Sequence, residues 1–227
     1  MIRLTWLGHA SWLIEDGTQK ILLDPFLTEN PAATAKPEDF ADATHVLLSH
    51  GHFDHVADAA EILKASGAQL IAIYEVAQWF GKHHGVTNAV GMNLGGKVAI
   101  GDGSAKMTPA VHSSSLPDGS YAGAAAGFVL SLGGCRVYFA CDTAYFSDMA
   151  WYAKGVDVAV LPIGDLFTMG VEDSIEAIQL IGPKIVLPTH YGTWPPIEQD
   201  AAAWAEKVQA ETGARAEVLS VGQPFEI

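Results

Sequence analysis

Short apolar segments separated by polar turns occur along most of the chain, which predicts a protein rich in β-strands. Asp16-Gly17 lies between two such segments and is typical of a hairpin turn. In the second half, apolar runs alternate with segments whose apolar residues recur at helical spacing. One of these segments, 172–181, is terminated by Gly182-Pro183. This pattern predicts two packed sheets with helices outside them, an α/β architecture.

The individual elements follow from the same pattern, with turn residues at their boundaries. Asp58, with Glu61 three residues later, is typical of a capping box and predicts a helix to about Ser66. The other predicted helices are 76–84, 172–181 and 197–211. The predicted strands are 2–6, 11–15, 19–24, 45–49, 69–74, 106–111, 127–132, 136–141, 156–161, 184–188 and 215–221.

Composition limits the kinds of protein that this chain can be. Its 227 residues are 49% hydrophobic, enough for a sizeable core, and we expect one domain over residues 1–227. The formal net charge of −14 argues against nucleic acid or an anionic membrane as a partner. The N-terminal residues do not resemble a signal peptide, so we expect a cytoplasmic protein. The sequence leaves a homo-oligomer open.

The most informative segment is His50-Gly51-His52-Phe53-Asp54-His55. It places three imidazoles and one carboxylate within six residues, and these groups are the usual protein ligands of zinc, manganese and iron. A histidine-rich surface loop is the alternative, but this spacing seldom occurs by chance. We expect Phe53, the one large apolar residue of the segment, to pack inward, and Gly51 to allow an unusual dihedral angle or a close approach.

Metal-type ligands also follow predicted strands elsewhere in the chain. His50, His112, Asp142 and His190 each come directly after a separate apolar segment. Side chains at strand ends can converge on one mouth of a sandwich, where the strands hold them rigidly. We therefore expect these four residues to meet.

With these residues in view, the chain resembles the metallo-β-lactamase superfamily. Within it, the chain is similar to the short metal-dependent hydrolase branch related to the lactonase of phosphorylated ascorbate. The resemblance implies a four-layer αββα sandwich. The segments that carry it span nearly the whole chain and are Gly8-His9-Ala10-Ser11, Leu23-Asp24-Pro25-Phe26, 49–55, His112, Cys141-Asp142-Thr143 and Pro188-Thr189-His190-Tyr191.

The resemblance also implies two divalent cations, each with three ligands of its own. Those of the first are His50, His52 and His112, and those of the second are Asp54, His55 and His190. Asp142 would bridge both cations. Nitrogen and oxygen ligands without a thiolate suit zinc first, and also manganese, nickel or iron.

Three further residues are candidates for the site. His9 follows the first strand, and we hypothesise that it supports a ligand or contacts substrate, with a core or turn position as the alternative. Asp24 either forms a turn with Pro25 or orients a ligand histidine. Tyr191 lies beside His190 and is a candidate donor to a developing oxyanion. Asp54 is expected to orient the attacking hydroxide as well as bind metal.

The expected activity is hydrolysis of an ester-like bond in a small-molecule substrate by a hydroxide that bridges the two cations. A lactone and a phosphodiester are the favoured substrates, and promiscuous β-lactam hydrolysis is an alternative. Iron-dependent redox chemistry on the same fold is a second alternative. The fold supports many reactions, so the resemblance alone does not select one.

Overall fold

The computed structural model describes residues 1–227 and arranges them in four layers, with two seven-stranded sheets packed together between helices. The predicted αββα sandwich is thereby confirmed. The strands are β1 (Arg3–Gly8), β2 (Ser11–Glu15), β3 (Lys20–Leu23), β4 (His45–Leu48), β5 (Gln69–Ile73), β6 (Ala89–Met92), β7 (Lys97–Ile100), β8 (Gly103–Pro109), β9 (Ala126–Leu132), β10 (Cys135–Phe139), β11 (Val158–Pro162), β12 (Ile185–Thr189), β13 (Arg215–Ala216) and β14 (Pro224–Glu226).

Six α-helices cover the outer faces of the sheets or connect their strands. The longest have 11 residues, and none combines the length and the apolar character needed to cross a bilayer. The helices are α1 (Phe53–Val56), α2 (Ala59–Ser66), α3 (Tyr74–His84), α4 (Met149–Tyr152), α5 (Val171–Ile181) and α6 (Ala201–Glu211). Short 3-10 helices occupy Pro37–Phe40 and Pro195–Ile197.

The two sheets have the same internal layout. The first runs in the order β14-β1-β2-β3-β4-β5-β6, and the second in the order β13-β12-β11-β10-β9-β8-β7. In the first sheet, β14 to β3 pair antiparallel and β3 to β6 pair parallel. In the second, β10 to β13 pair parallel and β7 to β10 pair antiparallel. The parallel strands of each sheet therefore deliver their carboxyl ends to one edge, as in α/β sheets that bind ligands.

Apolar side chains from both sheets form the core between them. Every residue of β11 is buried, which fits a strand covered on both faces. Trp12 of β2 is 1% exposed and packs edge-to-face on Phe139, with ring centroids 5.9 Å apart. Its indole Nε1 donates to Thr189 Oγ1 at 3.1 Å and so links the first sheet to the second.

Two predicted elements of the C-terminal region differ from the structure. The last helix begins at Ala201 rather than at residue 197, because the Asp200 side chain accepts hydrogen bonds from the amides of Ala202 and Ala203, each at 3.0 Å. The predicted strand 215–221 is reduced to the two residues of β13. The chain then crosses to the other sheet, where β14 pairs with β1. The pattern had not indicated β6, β7 or β14.

The predicted capping box at Asp58 is wrong, although the helix that follows is present. The Asp58 side chain makes no capping hydrogen bond to α2. It is buried and accepts instead from the backbone amides of Leu27 and Thr28 and from the Thr28 hydroxyl. Asp58 therefore anchors the loop after β3, and local sequence spacing cannot distinguish that contact from a cap.

The packing of Trp12 yields a stability prediction. Trp12→Ala should lower the free energy of unfolding of the metal-free protein by about 3–5 kcal/mol, because it empties a large volume between the sheets. Urea denaturation followed by circular dichroism measures this change. Trp151→Ala is the matched control, since Trp151 is 86% exposed and its removal should change stability by no more than about 0.5 kcal/mol. Equal effects of the two substitutions would contradict this account of the core.

Candidate metal centre

The residues that the sequence predicted to meet lie together at the carboxyl ends of the strands. His50 follows β4, His112 follows β8, Asp142 follows β10, and His190 follows β12. The donor atoms of seven predicted ligands and of His9 fall into groups whose members lie within 4.8 Å of one another. These groups are His9, Asp54, His55 and His190; His50, His52 and His112; and His50, His55 and Asp142.

The first predicted metal position is formed by three imidazoles. His50 Nε2 lies 2.9 Å from His52 Nδ1, and the His50 and His112 rings are 5.1 Å apart. Burial lowers the pKa of all three histidines below the usual value, most strongly for His50, which is almost fully buried. The three rings are therefore neutral at pH 7, which is the form that coordinates a metal.

The second predicted position is built around Asp54. Its Oδ2 lies 2.9 Å from His9 Nε2 and 3.7 Å from His55 Nε2. Burial raises the pKa of Asp54, but His55 and His9 outweigh burial and hold it well below the usual value. Asp54 is therefore an ionised carboxylate that lines the cavity described below.

Asp142 lies between the two positions. Its Oδ2 is 3.1 Å from His190 Nε2, 3.3 Å from His55 Nε2 and 3.6 Å from His112 Nε2. The carboxylate is 4% exposed. Burial alone would raise its pKa, but His190 and His55 keep the pKa well below the usual value. This is the arrangement expected of a carboxylate shared by two cations.

Unsatisfied buried atoms test whether cations fit here. His55 Nε2 and Asp142 Oδ1 are both buried without a hydrogen-bond partner. Buried polar atoms are normally paired, and an orphaned imidazole nitrogen beside an orphaned carboxylate oxygen is what a coordinated cation would satisfy. The neighbouring thiol of Cys141 lies 3.7 Å from the Phe139 carbonyl oxygen and is absent from the ligand groups, so the donors are nitrogen and oxygen only.

Asp24 orients a histidine, which settles the two alternatives that the sequence left open. It is fully buried, its Oδ2 lies 2.9 Å from His55 Nδ1, and its Oδ1 accepts from the Ser49 amide at 2.7 Å. Donation from His55 Nδ1 to Asp24 leaves Nε2 facing Asp54 and Asp142. Ser49, which also donates its hydroxyl to Asp24, was not identified from the sequence.

His9 reaches the site from β1 and is fully buried. Burial is the largest effect on its pKa, which falls to about 4, so the ring is neutral. Because ionised Asp54 can only accept, His9 Nε2 must carry the hydrogen that it donates. Nδ1 then accepts from the hydroxyl of Thr193 at 2.9 Å. Thr193 was missed in the sequence, since only the fold brings it to His9.

Tyr191 does not line the cavity. Its ring stacks on Trp6 at 5.1 Å, and burial raises its pKa to about 12. The left-handed backbone at His190, with φ of 55°, places the residue 190 side chain in the metal centre, and the ring of residue 191 packs elsewhere. In this structure the Tyr191 ring packs on Trp6, and nothing in the structure supports the oxyanion role predicted from the sequence.

The expectations for the two non-ligand residues of the histidine segment had different outcomes. Phe53 does not pack inward, because it is 43% exposed and its one aromatic neighbour is Phe26, with ring centroids 5.3 Å apart. The close approach expected at Gly51 is confirmed. A Cβ atom at this position would lie 2.5 Å from Ala122 Cβ and 3.0 Å from the Ser115 carbonyl oxygen. The loop after β8 therefore packs directly against the backbone of the histidine segment.

A cavity of about 490 Å³ opens onto these groups. Its lining combines metal-type ligands with a hydroxyl group and three apolar side chains. The lining residues are His52, Asp54, His112, Ser113, Asp142, Leu166, Phe167, His190 and Trp194. A small molecule in this cavity would contact both predicted metal positions.

Comparisons with known proteins agree with this geometry. A family model described as "Beta-lactamase superfamily domain" matches residues 19–191, more than half of the chain. The chain is 43% identical to a UPF0173 metal-dependent hydrolase of Pelotomaculum thermopropionicum and 44% identical to one of Pyrococcus abyssi, each over 100% of both chains.

A solved structure extends the likeness to three dimensions. Igni18, described as a metallo hydrolase from the archaeon Ignicoccus hospitalis, is 32% identical with a TM-score of 0.88, over 100% of this chain and 99% of that one. The resemblance drawn from the sequence motifs is thereby confirmed. The chain belongs to the metallo-β-lactamase superfamily, in the family of UPF0173 metal-dependent hydrolases.

Proposed function

We propose that this protein is a metal-dependent hydrolase that uses two divalent cations to cleave an ester-like bond in a small molecule. The observation that carries the proposal is the position of Asp142, whose one oxygen lies within 3.6 Å of histidines from both predicted metal positions. Full-length relatives that are named metal-dependent hydrolases support the same reaction class.

The proposed ligands are the seven residues predicted from the sequence, with Asp142 shared. Zinc fits the nitrogen and oxygen donors, as do manganese, nickel and iron. When bound, the two cations would supply a hydroxide at neutral pH and stabilise negative charge developing on the substrate. The ligands of the first cation are His50, His52 and His112, and those of the second are Asp54, His55 and His190.

The roles of Asp54 and His9 follow from their protonation states. Asp54 has a strongly lowered pKa, so it orients a water molecule better than it retains a proton removed from one. His9, neutral and held by Thr193, fixes the rotamer of Asp54 through the 2.9 Å contact with Oδ2. We propose that His9 is a positioning residue and that a proton released in the reaction leaves through the open cavity.

Removal of the shared carboxylate is the direct test. Asp142→Asn should reduce bound metal from near two per chain to one or fewer, and should reduce turnover at least about a thousandfold, because the shared anionic ligand is lost. Elemental analysis of metal content, together with hydrolysis of a lactone, phosphodiester and lactam panel before and after chelation, measures both effects.

The matched control for this test is Asp118→Asn. Asp118 is exposed and accepts a hydrogen bond from Trp79 Nε1 outside the cavity. Its replacement should therefore leave metal content and turnover unchanged. Chelator-resistant turnover in the wild-type protein would contradict the proposed function. One bound iron with a visible absorption band and no hydrolysis would instead favour the redox alternative.

His9→Asn tests the positioning role, since asparagine tolerates the left-handed backbone found at residue 9, where φ is 54°. The variant should retain about two metals per chain and lose about 10- to 100-fold in kcat, with a smaller change in KM. Thr193→Val, which replaces the hydroxyl with a methyl group of similar size, should cause a weaker loss in the same direction. Unchanged turnover and metal content in both variants would exclude His9 from the site.

Metal affinity should rise with pH. Burial lowers the pKa of His55, but Asp142 and Asp24 outweigh it, so in the metal-free protein this pKa lies well above its usual value. Below that raised pKa a cation must displace the His55 proton, so affinity should fall about tenfold per unit as pH decreases. Calorimetry in buffers of different ionisation enthalpy measures the released proton. Asp24→Asn should reduce proton release at pH 7, and no release from the wild-type protein would contradict this.

A further inference from the structure

The cavity lining contains no cationic side chain. Its fixed charges are the carboxylates of Asp54 and Asp142, and the 12 lysines and arginines of the chain are all absent from it. A second anionic group on a substrate, such as a phosphate remote from the scissile bond, would find no lysine or arginine there. The resemblance to a lactonase of a phosphorylated sugar acid therefore does not extend to a phosphate-binding side chain in this cavity.

Three apolar side chains lie beside the metal-type ligands in the lining. Leu166 is 66% exposed, Phe167 is 54% exposed, and Trp194 is half-buried. Single exposed apolar residues are common on protein surfaces, so exposure alone indicates nothing. Here, however, the adjacent residues Leu166 and Phe167 share one cavity with Trp194. The backbone at Leu166 is also left-handed.

The turn that presents Leu166 and Phe167 is strained and is held by several hydrogen bonds. Asp165 and Leu166 both have left-handed dihedral angles, with φ of 61° and 44°, which costs a residue other than glycine about 1 kcal/mol or more. The Asp165 carboxylate accepts from the Leu166 amide at 2.8 Å, and the Asp165 amide donates to the Met169 carbonyl at 3.1 Å. Hydrogen bonds within the turn therefore hold Leu166 and Phe167 in this conformation.

Trp194 is held from a different part of the chain. The centroid of its ring lies 4.8 Å from that of His9 and 5.9 Å from that of Phe26. The preceding residue, Thr193, is hydrogen-bonded to His9. An apolar surface is thus fixed by two independent segments, one after β11 and the other after β12. Such a surface contributes binding energy only to a ligand with an apolar group.

We infer that Leu166, Phe167 and Trp194 select ester-like substrates that carry an uncharged hydrocarbon or aromatic substituent, in preference to phosphorylated ones. The inference rests on the proposed function, because it takes the scissile group to lie at the metal centre. The predicted ligands would hold the cations at the reacting end of the substrate, and the three side chains would contact the substituent. Phe167 and Leu166 are then specificity residues for the reaction.

The experiment compares binding of alkyl hydroxamates, which chelate divalent cations, to the metal-loaded protein by calorimetry. Octanohydroxamate should bind at least about tenfold more tightly than acetohydroxamate, because part of its added chain is buried against the apolar surface. A hexanohydroxamate with a terminal phosphonate should bind no more tightly than acetohydroxamate. In parallel, kcat/KM for γ-lactones should increase with the length of the alkyl substituent.

The variant for this test is Leu166→Asn/Phe167→Ala, which keeps a residue compatible with the left-handed backbone at position 166. It should reduce the octano-to-aceto affinity ratio to below about threefold. Trp151→Ala, which removes an exposed aromatic side chain outside the cavity, is the matched control and should retain the wild-type ratio.

The outcomes separate the inference from the proposed function. Chelator-sensitive hydrolysis with no dependence on chain length, or tighter binding of the phosphonate, would overturn the inference and leave the hydrolase proposal standing. If hydroxamate affinity increases with chain length but no lactone or ester is hydrolysed, the hydrolase proposal is overturned. The cavity would then be a binding site for an apolar ligand. An unchanged affinity ratio in the double variant would show that these two side chains do not contact the substituent.

Discussion

The metal centre depends on left-handed backbone turns placed directly after strands. His9, Asp24, Cys141 and His190 have φ between 47° and 55°, and they follow β1, β3, β10 and β12. Each turn costs about 1 kcal/mol or more in a residue other than glycine, and hydrogen bonds offset that cost. The His9 carbonyl oxygen alone accepts from Trp6 Nε1, the Thr189 hydroxyl and the His190 amide, at 2.8 to 3.0 Å. The strained backbone thus lies where the two sheets are joined. At these positions the chain leaves a strand and turns its side chains towards the metal centre.

The same arrangement would make a bound cation part of the stability of the fold. Imidazoles and carboxylates at this depth leave His55 Nε2 and Asp142 Oδ1 without hydrogen-bond partners. Unpaired buried polar atoms destabilise a folded protein by about 1–3 kcal/mol each. A cation that binds only the folded state adds about 4 kcal/mol when present at a thousand times its dissociation constant. Rigidity at the site and affinity for metal are therefore two consequences of the same buried groups.

The convergence of His50, His112, Asp142 and His190 was predictable because each follows an apolar strand, and strand ends are easily recognised in sequence. The contacts that support the ligands were not predictable in the same way. Ser49 and Thr193 are ordinary polar residues until the fold places them against Asp24 and His9. The packing of Tyr191 on Trp6 was not predictable, because adjacency to His190 does not give the direction of the next side chain when the His190 backbone is left-handed. Strand β14 was missed because three residues carry too little pattern to indicate pairing with β1.

The pairing of β14 with β1 has a consequence for biosynthesis. The register joins Leu4 to Phe225, so β1 obtains this neighbour only after the long segment between the two strands has been synthesised. Contacts between such distant segments form slowly, and an unpaired edge strand invites association with other chains in the meantime. Because β1 leads into His9, the growing chain has an unpaired sheet edge next to the site until β14 has been synthesised. Metal capture is then expected to follow the pairing of β14 with β1, so the order in which the strands form sets the time at which a cation can bind.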